Sequence, residues 1–385
     1  MDSRSRVLTT LEHKEPDRVP FDLAGATNAG IHVIAYQSLL EHWGDPRRAK
    51  VEAIISQKAV VHEDILDRLK VDSRKANPST KITERLQHKV KSDKQHTYFR
   101  DSWGIKWAKP KKGGLYYDIR ENPLSSKFSK ADIDDLTPPS LYAKDQLADF
   151  RERAKVYRDK GFAIIVGGTG GGIFEWACWL RGYKNFFVDM LARKSLAERL
   201  LRKILEHKLR HYRQVLNELG DLVDIVAEGD DMATQERLMI SPDLYRRMIK
   251  PLHIELFKEI QMYAGKRIYI HFHSCGAIRE LIPELIEAGI DALNPVQVSA
   301  RGMDTKQLKK DFGRDITFWG GGVDTQHTLP KGTPEQVRAE VKRRIDDLAP
   351  GGGFVFSAVH NIQPDVPAEN IIAMWESLKK HGSYQ

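Results

Sequence analysis

The 385 residues predict an α/β protein, a (β/α)8 barrel with an N-terminal elaboration, and three observations carry that expectation. Short β-rich runs alternate with long helical patterns, which is how βα units around a parallel sheet read in sequence. From about residue 160 onward the alternation recurs at the spacing of a barrel, whose usual size is ~250 residues. No dinucleotide fingerprint supports an open sheet: Gly167-Gly-Thr-Gly-Gly-Gly172 follows a strand pattern, but lacks both a Lys-Ser/Thr ending and an acidic residue ~20 positions on. That run reads instead as a loop where backbone approaches something closely.

In chain order, the candidate strands are Val19–Leu23, Phe162–Val166, Leu222–Val226, Arg267–His273, Ala292–Asn294, Ile316–Trp319 and Phe354–Ser357. Helices fill the intervals. Ser195 and Glu198 have capping-box spacing, and Leu196, Leu200, Leu201, Ile204, Leu205, Tyr212, Leu216 and Leu219 continue a helical stripe to Gly220. Thr333-Pro-Glu-Gln336 repeats the start signal with proline at the first helical position, and Ser241-Pro242 marks another start. Residues 25–150 are less regular and read as decoration on a barrel formed by 160–385, the whole chain being one domain. Within them, Lys81 to Lys94 alternates apolar and polar positions as a solvated edge hairpin would.

Composition removes several classes. With 41% hydrophobic and 30% charged residues the chain is too apolar for disorder. Its best apolar run, Phe162–Val166, falls far short of the ~20 residues that span a bilayer. Two cysteines, Cys178 and Cys275, supply no disulfide framework, and the first residues lack the apolar core of a secretory signal, so a cytoplasmic protein without membrane association is expected. Of the net charge of +8, residues 81–112 contribute ten Lys/Arg against three Asp/Glu. So local an excess reads either as a solvated ribbon or as a surface that steers an anionic small molecule or an acidic partner, rather than as a nucleic-acid footprint.

Three clusters carry chemistry, each just past a strand, where barrel active sites form. His271-Phe-His273-Ser-Cys275-Gly276 offers imidazole and thiolate two residues apart, a natural half of a zinc site. Glu228-Gly-Asp230-Asp231 brings together carboxylates that raise one another's pKa and serve as ligands or proton donors. Ser357-Ala-Val-His360 precedes the last helix.

At these residues the chain resembles the uroporphyrinogen decarboxylase superfamily, and within it the zinc-dependent methyltransferases that work with corrinoid proteins. The resemblance rests on Arg4-Ser-Arg-Val-Leu, Pro16-Asp-Arg-Val-Pro20, Asp230-Asp231-Met, Ser241-Pro242-Asp-Leu-Tyr245, His273-Ser-Cys275-Gly276, Gly320-Gly-Gly-Val-Asp324 and Pro364-Asp-Val-Pro-Ala-Glu-Asn370. Where the decarboxylase has an arginine-bearing signature, this chain reads Phe21-Asp-Leu-Ala-Gly-Ala-Thr27, and the decarboxylase lacks the His-x-Cys pair. The methyltransferase resemblance implies zinc on His273 and Cys275 with a third ligand, usually cysteine, from the loop before the last helix, where this chain has His360. It further implies methyl transfer from a small methylated substrate, such as a methoxylated aromatic or a methylamine, to cobalamin carried by a partner corrinoid protein. Glu228 is the candidate fourth ligand, Asp230 and Asp231 the acid–base pair, and Trp103, Trp107, Trp176 and His271 the substrate pocket. The alternatives are a metal-free decarboxylase of a small carboxylic acid, with His360 and Asp231 as its polar groups, and a non-catalytic corrinoid- or metal-binding accessory protein.

Overall fold

The computed structural model describes residues 1–26 and 28–384, so Thr27, the end of the arginine-free stretch, lies outside the described residues. Thirteen strands occur in chain order: β1 (Val51–Ala53), β2 (Lys58–Ala59), β3 (Ser73–Lys75), β4 (Lys91–Ser92), β5 (His96–Arg100), β6 (Lys106–Pro110), β7 (Asp118–Glu121), β8 (Ala163–Gly167), β9 (Ile225–Gly229), β10 (Tyr269–His273), β11 (Ala292–Asn294), β12 (Thr317–Trp319) and β13 (Phe354–Val355). Seven of them form one parallel sheet in the order β13-β12-β11-β10-β9-β8-β3. The eighth position falls to Pro20–Asp22, which hydrogen-bonds along both edges. Asp22 N donates to Phe356 O at 2.9 Å and Phe356 N to Pro20 O at 2.8 Å, while Asp72 N donates to Phe21 O at 2.8 Å. The Val19–Leu23 run thus closes the barrel, although its pairing with the sheet is a single bridge, Phe21 to Phe356.

Period-two alternation decides which side chains fill the barrel. Ala163, Ile165, Ile225, Ala227, Ala292, Trp319 and Val355 pack together inside it, floored by Val7 and Leu11 of the helix Ser3–Leu11. Their neighbours Ile164, Val166, Val226, Ile270, Phe272, Leu293, Phe318 and Phe354 face the helical layer. Buried charge anchors the floor: Asp72 receives Arg6 at 2.6 Å and Arg18 at 2.8 Å, and Asp224 receives Arg4 at 3.0 Å. The two N-terminal arginine motifs therefore tie the floor helix to the sheet.

Three expectations change. Residues 25–150 are not decoration alone, since β3 is a barrel strand paired with β8. Lys81–Lys94 is not a hairpin: Thr80–Gln87 is helical, and the ribbon begins only at Lys91, as the first of four antiparallel strands β4-β5-β6-β7. The long helix Lys194–Leu219 starts without a side-chain cap, because Arg193 continues from the preceding helix and its N–H donates to Asp189 O at 2.8 Å. The signals at Thr333–Gln336 and Ser241 do open helices, through a capping box and a Ser241 cap to Leu244 N. No helix among the described residues is long and apolar enough to cross a membrane.

Candidate metal centre at the barrel mouth

β10 carries Tyr269, His271 and His273 on its inward face and ends at the mouth. The chain then turns sharply. Ser274 N donates to Asn294 O at 2.7 Å, Cys275 N to Asp231 Oδ1 at 2.8 Å and Gly276 N to Gln297 Oε1 at 2.6 Å. Gly276 has φ +92°, and a Cβ there would lie 2.9 Å from the Ala233 backbone, so only glycine makes this turn without strain. Its product is Cys275 Sγ folded back to 3.2 Å from His273 Nε2.

A chain of hydrogen bonds fixes the tautomer of His273. Asn294 Nδ2 donates to Trp319 O at 2.8 Å, which turns Asn294 Oδ1 toward His273 Nδ1 at 2.5 Å. An amide oxygen accepts only, so Nδ1 carries the proton and Nε2 keeps its lone pair for the cluster. That lone pair faces Asn28 Nδ2 at 2.9 Å. His360 arrives from the loop after β13, which is tied down where Ile362 N donates to Gly30 O at 2.9 Å; its ring centroid lies 5.6 Å from that of His273.

Ligating atoms of His273, Cys275 and His360 all lie within 4.8 Å of one another. Donors on a tetrahedral zinc stand about 3.3–3.8 Å apart, a spacing reached by small side-chain movements. The electrostatics also suit a cation. Burial first, then the proximity of His273 and of Lys58, lower the His360 pKa to about 3, which favours a neutral imidazole donor. Burial and then the carboxylates of Asp231 and Glu175 push the Cys275 thiol well above its ordinary range. A dication at this point would reverse that balance and hold the thiolate.

The acidic residues divide according to the face they occupy. Asp231 is at the cluster, with Oδ1 3.7 Å from His273 Nε2. Asp230 is turned away: its two oxygens accept the N–H groups of Phe174 and Glu175 at 2.8 Å, capping the helix Ile173–Arg181, and His253 Nε2 stands 3.1 Å off. Its neighbour Gly172 leaves no room for a Cβ beside the carboxyl, which accounts for the last glycine of the Gly-rich loop. Glu228, the expected fourth ligand, lies outside the cluster. It shares the parity of Val226 on β9 and so faces the helices, where Lys208 Nζ at 3.0 Å and Tyr212 Oη at 2.6 Å hold it. Sequence reasoning missed Glu175. Burial, then the charges of Asp231 and Asp230, raise its pKa well above the carboxylate range. Its place in the first turn of a helix that follows a glycine run was the available signal.

The tryptophans pack together in the main core. Trp103 and Trp176 stand 5.7 Å apart, Trp176 and Trp179 4.9 Å, and Trp107 and Trp179 5.6 Å, with Trp103 3% and Trp107 4% exposed. His271 is enclosed one layer below His273, edge-on to Trp319 at 5.1 Å, and burial lowers its pKa to about 3.

The uroporphyrinogen decarboxylase family model matches residues 114–381, most of the chain. The chain belongs to this family. Among curated uroporphyrinogen decarboxylases, that of Pseudoalteromonas translucida is 23% identical over 264 residues, 67% of this chain and 71% of the relative. That of Serratia proteamaculans is 21% identical over 278 residues, 69% of this chain and 73% of the relative. Among solved structures, a methyltransferase from Methanosarcina mazei superposes with TM-score 0.64 over 99% of both chains at 17% identity, so this member of the decarboxylase family shares that methyltransferase's fold from end to end.

Proposed function

We propose that the chain is a zinc-dependent enzyme that moves a methyl group from a small methylated substrate to a corrinoid carried by a partner protein. One observation carries the proposal: two imidazoles and a thiol converge within 4.8 Å at the barrel mouth, where they fit a tetrahedral cation. Zinc bound there by His273, Cys275 and His360 would act as a Lewis acid, polarising the heteroatom that bears the methyl group. With His360 in place of a second thiolate the donor set brings one negative charge fewer, which favours activation of the donor over activation of an acceptor thiol. Around it, Asn294 holds His273 in the ligating tautomer and Asp231 holds the Cys275 backbone. Glu175, whose pKa burial raises, would be suited to give a proton to the demethylated leaving group. The family's decarboxylase members favour a second reading, a metal-free decarboxylase acting on a small carboxylic acid.

Elemental analysis of the purified protein separates the two. About one zinc per chain supports methyl transfer, and a protein that neither retains nor takes up zinc supports the decarboxylase reading. Replacing His360 by alanine should release the metal while His360→Cys retains it; full zinc in His360→Ala would remove His360 from the ligand set. Asp231→Asn is expected to keep the metal and lower turnover by roughly 10²-fold, the size typical of a lost positioned carboxyl. An unchanged rate would leave Asp231 as a support for the Cys275 turn alone.

A further inference from the structure

Beside the His360 loop, the β1–β2 hairpin and the end of β3 bring two lysines to a single carboxylate. Lys75 follows Ser73 by two residues on β3, and the Ser73 hydroxyl points into the barrel at Asp22, so Lys75 lies on the inward face one layer nearer the mouth. Its Nζ is 3.5 Å from Glu52 Oε1. Lys58 threads its stem past Gly30, where an added Cβ would lie 2.7 Å from Lys58 Cδ and 3.1 Å from Asn361 Oδ1, beside the His360 loop.

The charges do not balance. Among the described residues Glu52 is held by Lys75, and no hydrogen-bond acceptor or carboxylate is paired with the Lys58 ammonium. Asp22 is not available to it, because its carboxyl already accepts from Ser73 Oγ, Trp319 Nε1 and the backbone N–H groups of Gly25 and Ala26. Burial lowers the Lys58 pKa despite the attraction of Glu52, whose own pKa falls to about 2 between the two lysines. Lys58 is half-buried, and an ammonium drawn partly out of water with no carboxylate of its own is stabilised by an anionic ligand.

We infer that Lys58 and Lys75 form an oxyanion subsite beside the metal cluster, so that the small substrate carries a carboxylate or sulfonate and a methylammonium donor is turned away by charge. The inference relies on the methyl-transfer reading for what becomes of the substrate, and on the lysines alone for its binding. Glu52 competes with the substrate anion for the two ammonium groups, which sets an unusual sign for its removal.

The test is calorimetric titration of the full chain, with and without added zinc, using benzoate and methanesulfonate as probes and benzamide and tetramethylammonium as neutral and cationic controls. At least one anion should bind saturably, and the controls at least about ten-fold more weakly. Lys58→Met and Lys58→Gln should each weaken anion binding by about ten-fold or more, the size of a lost charge-assisted hydrogen bond, and Glu52→Gln should tighten it. The inference is overturned if neither anion binds, if both Lys58 variants bind like the parent, or if folded Glu52→Gln binds more weakly. Oxyanion binding by a protein that takes up no zinc would uphold the subsite and remove the methyl-transfer reading. Zinc uptake without oxyanion binding would do the opposite.

Discussion

Replacing Cys275 by serine is expected to take zinc from about one ion per chain to nearly none, while circular dichroism and the melting temperature stay close to those of the parent. A hydroxyl is a far poorer zinc ligand than a thiolate. The fold has no stake in the sulfur, because the turn is held by the backbone N–H groups of Ser274, Cys275 and Gly276, which serine leaves in place. Methyl transfer should vanish with the metal. Asn294→Ala gives a graded version: without the acceptor on Nδ1 the ring loses its fixed tautomer, and metal affinity should fall about 10–100-fold. Undiminished zinc in Cys275→Ser, measured by elemental analysis after dialysis, would refute the assignment of Cys275 as a ligand.

The second large effect is on stability, away from the metal cluster. Lys208 and Glu228 are both buried, the ammonium 3.1 and 3.0 Å from the two carboxylate oxygens. Lys208→Met leaves the carboxylate with the Tyr212 hydroxyl and the Gly229 N–H. Uncompensated buried charge of this kind costs about 3–5 kcal/mol, which for a chain of this size lowers the melting temperature by roughly 4–6 °C. Lys208→Met combined with Glu228→Gln should recover most of the loss, since no charge then remains to be paired. If the single variant melts within a degree of the parent, the pair contributes little and water reaches Glu228.

Neighbouring acidic residues that look alike in sequence take different places in the structure. Glu228, Asp230 and Asp231 sit in four consecutive positions, yet one is paired in the helical layer, one caps a helix and one faces the cluster. Strand parity could have assigned Glu228 to the helices from the alternation of Ile225, Val226 and Ala227. Nothing local distinguishes Asp230 from Asp231, because the N–H groups that claim Asp230 belong to Phe174 and Glu175, more than fifty residues away. The His273 and Cys275 pair was legible because both lie at one strand end followed by glycine, and His360 because it lies between the last strand and the last helix. Lys58 was not, since the hairpin that carries it is short and the residues around it come from β3 and the His360 loop. For the fold, six of the seven candidate strands lie within three residues of strands in the parallel sheet. β3 escaped notice because three residues, two of them charged, give no apolar run.

Closure of the barrel by Pro20–Asp22 has a consequence for how the protein is made. The segment leaves the ribosome well ahead of Phe356, one of its two neighbours in the sheet, and at ~5–20 residues per second that partner emerges roughly twenty seconds to a minute later. Throughout that interval β3 has no neighbour on one side except Phe21, and the growing sheet has an open edge. Loop-closure entropy for so distant a pairing must be met before the contact forms, which places closure of the barrel after β13 has emerged and makes it slow. The nascent chain is therefore most exposed to strand-pairing with other chains while six barrel strands are present and the seventh has not yet met the segment waiting for it.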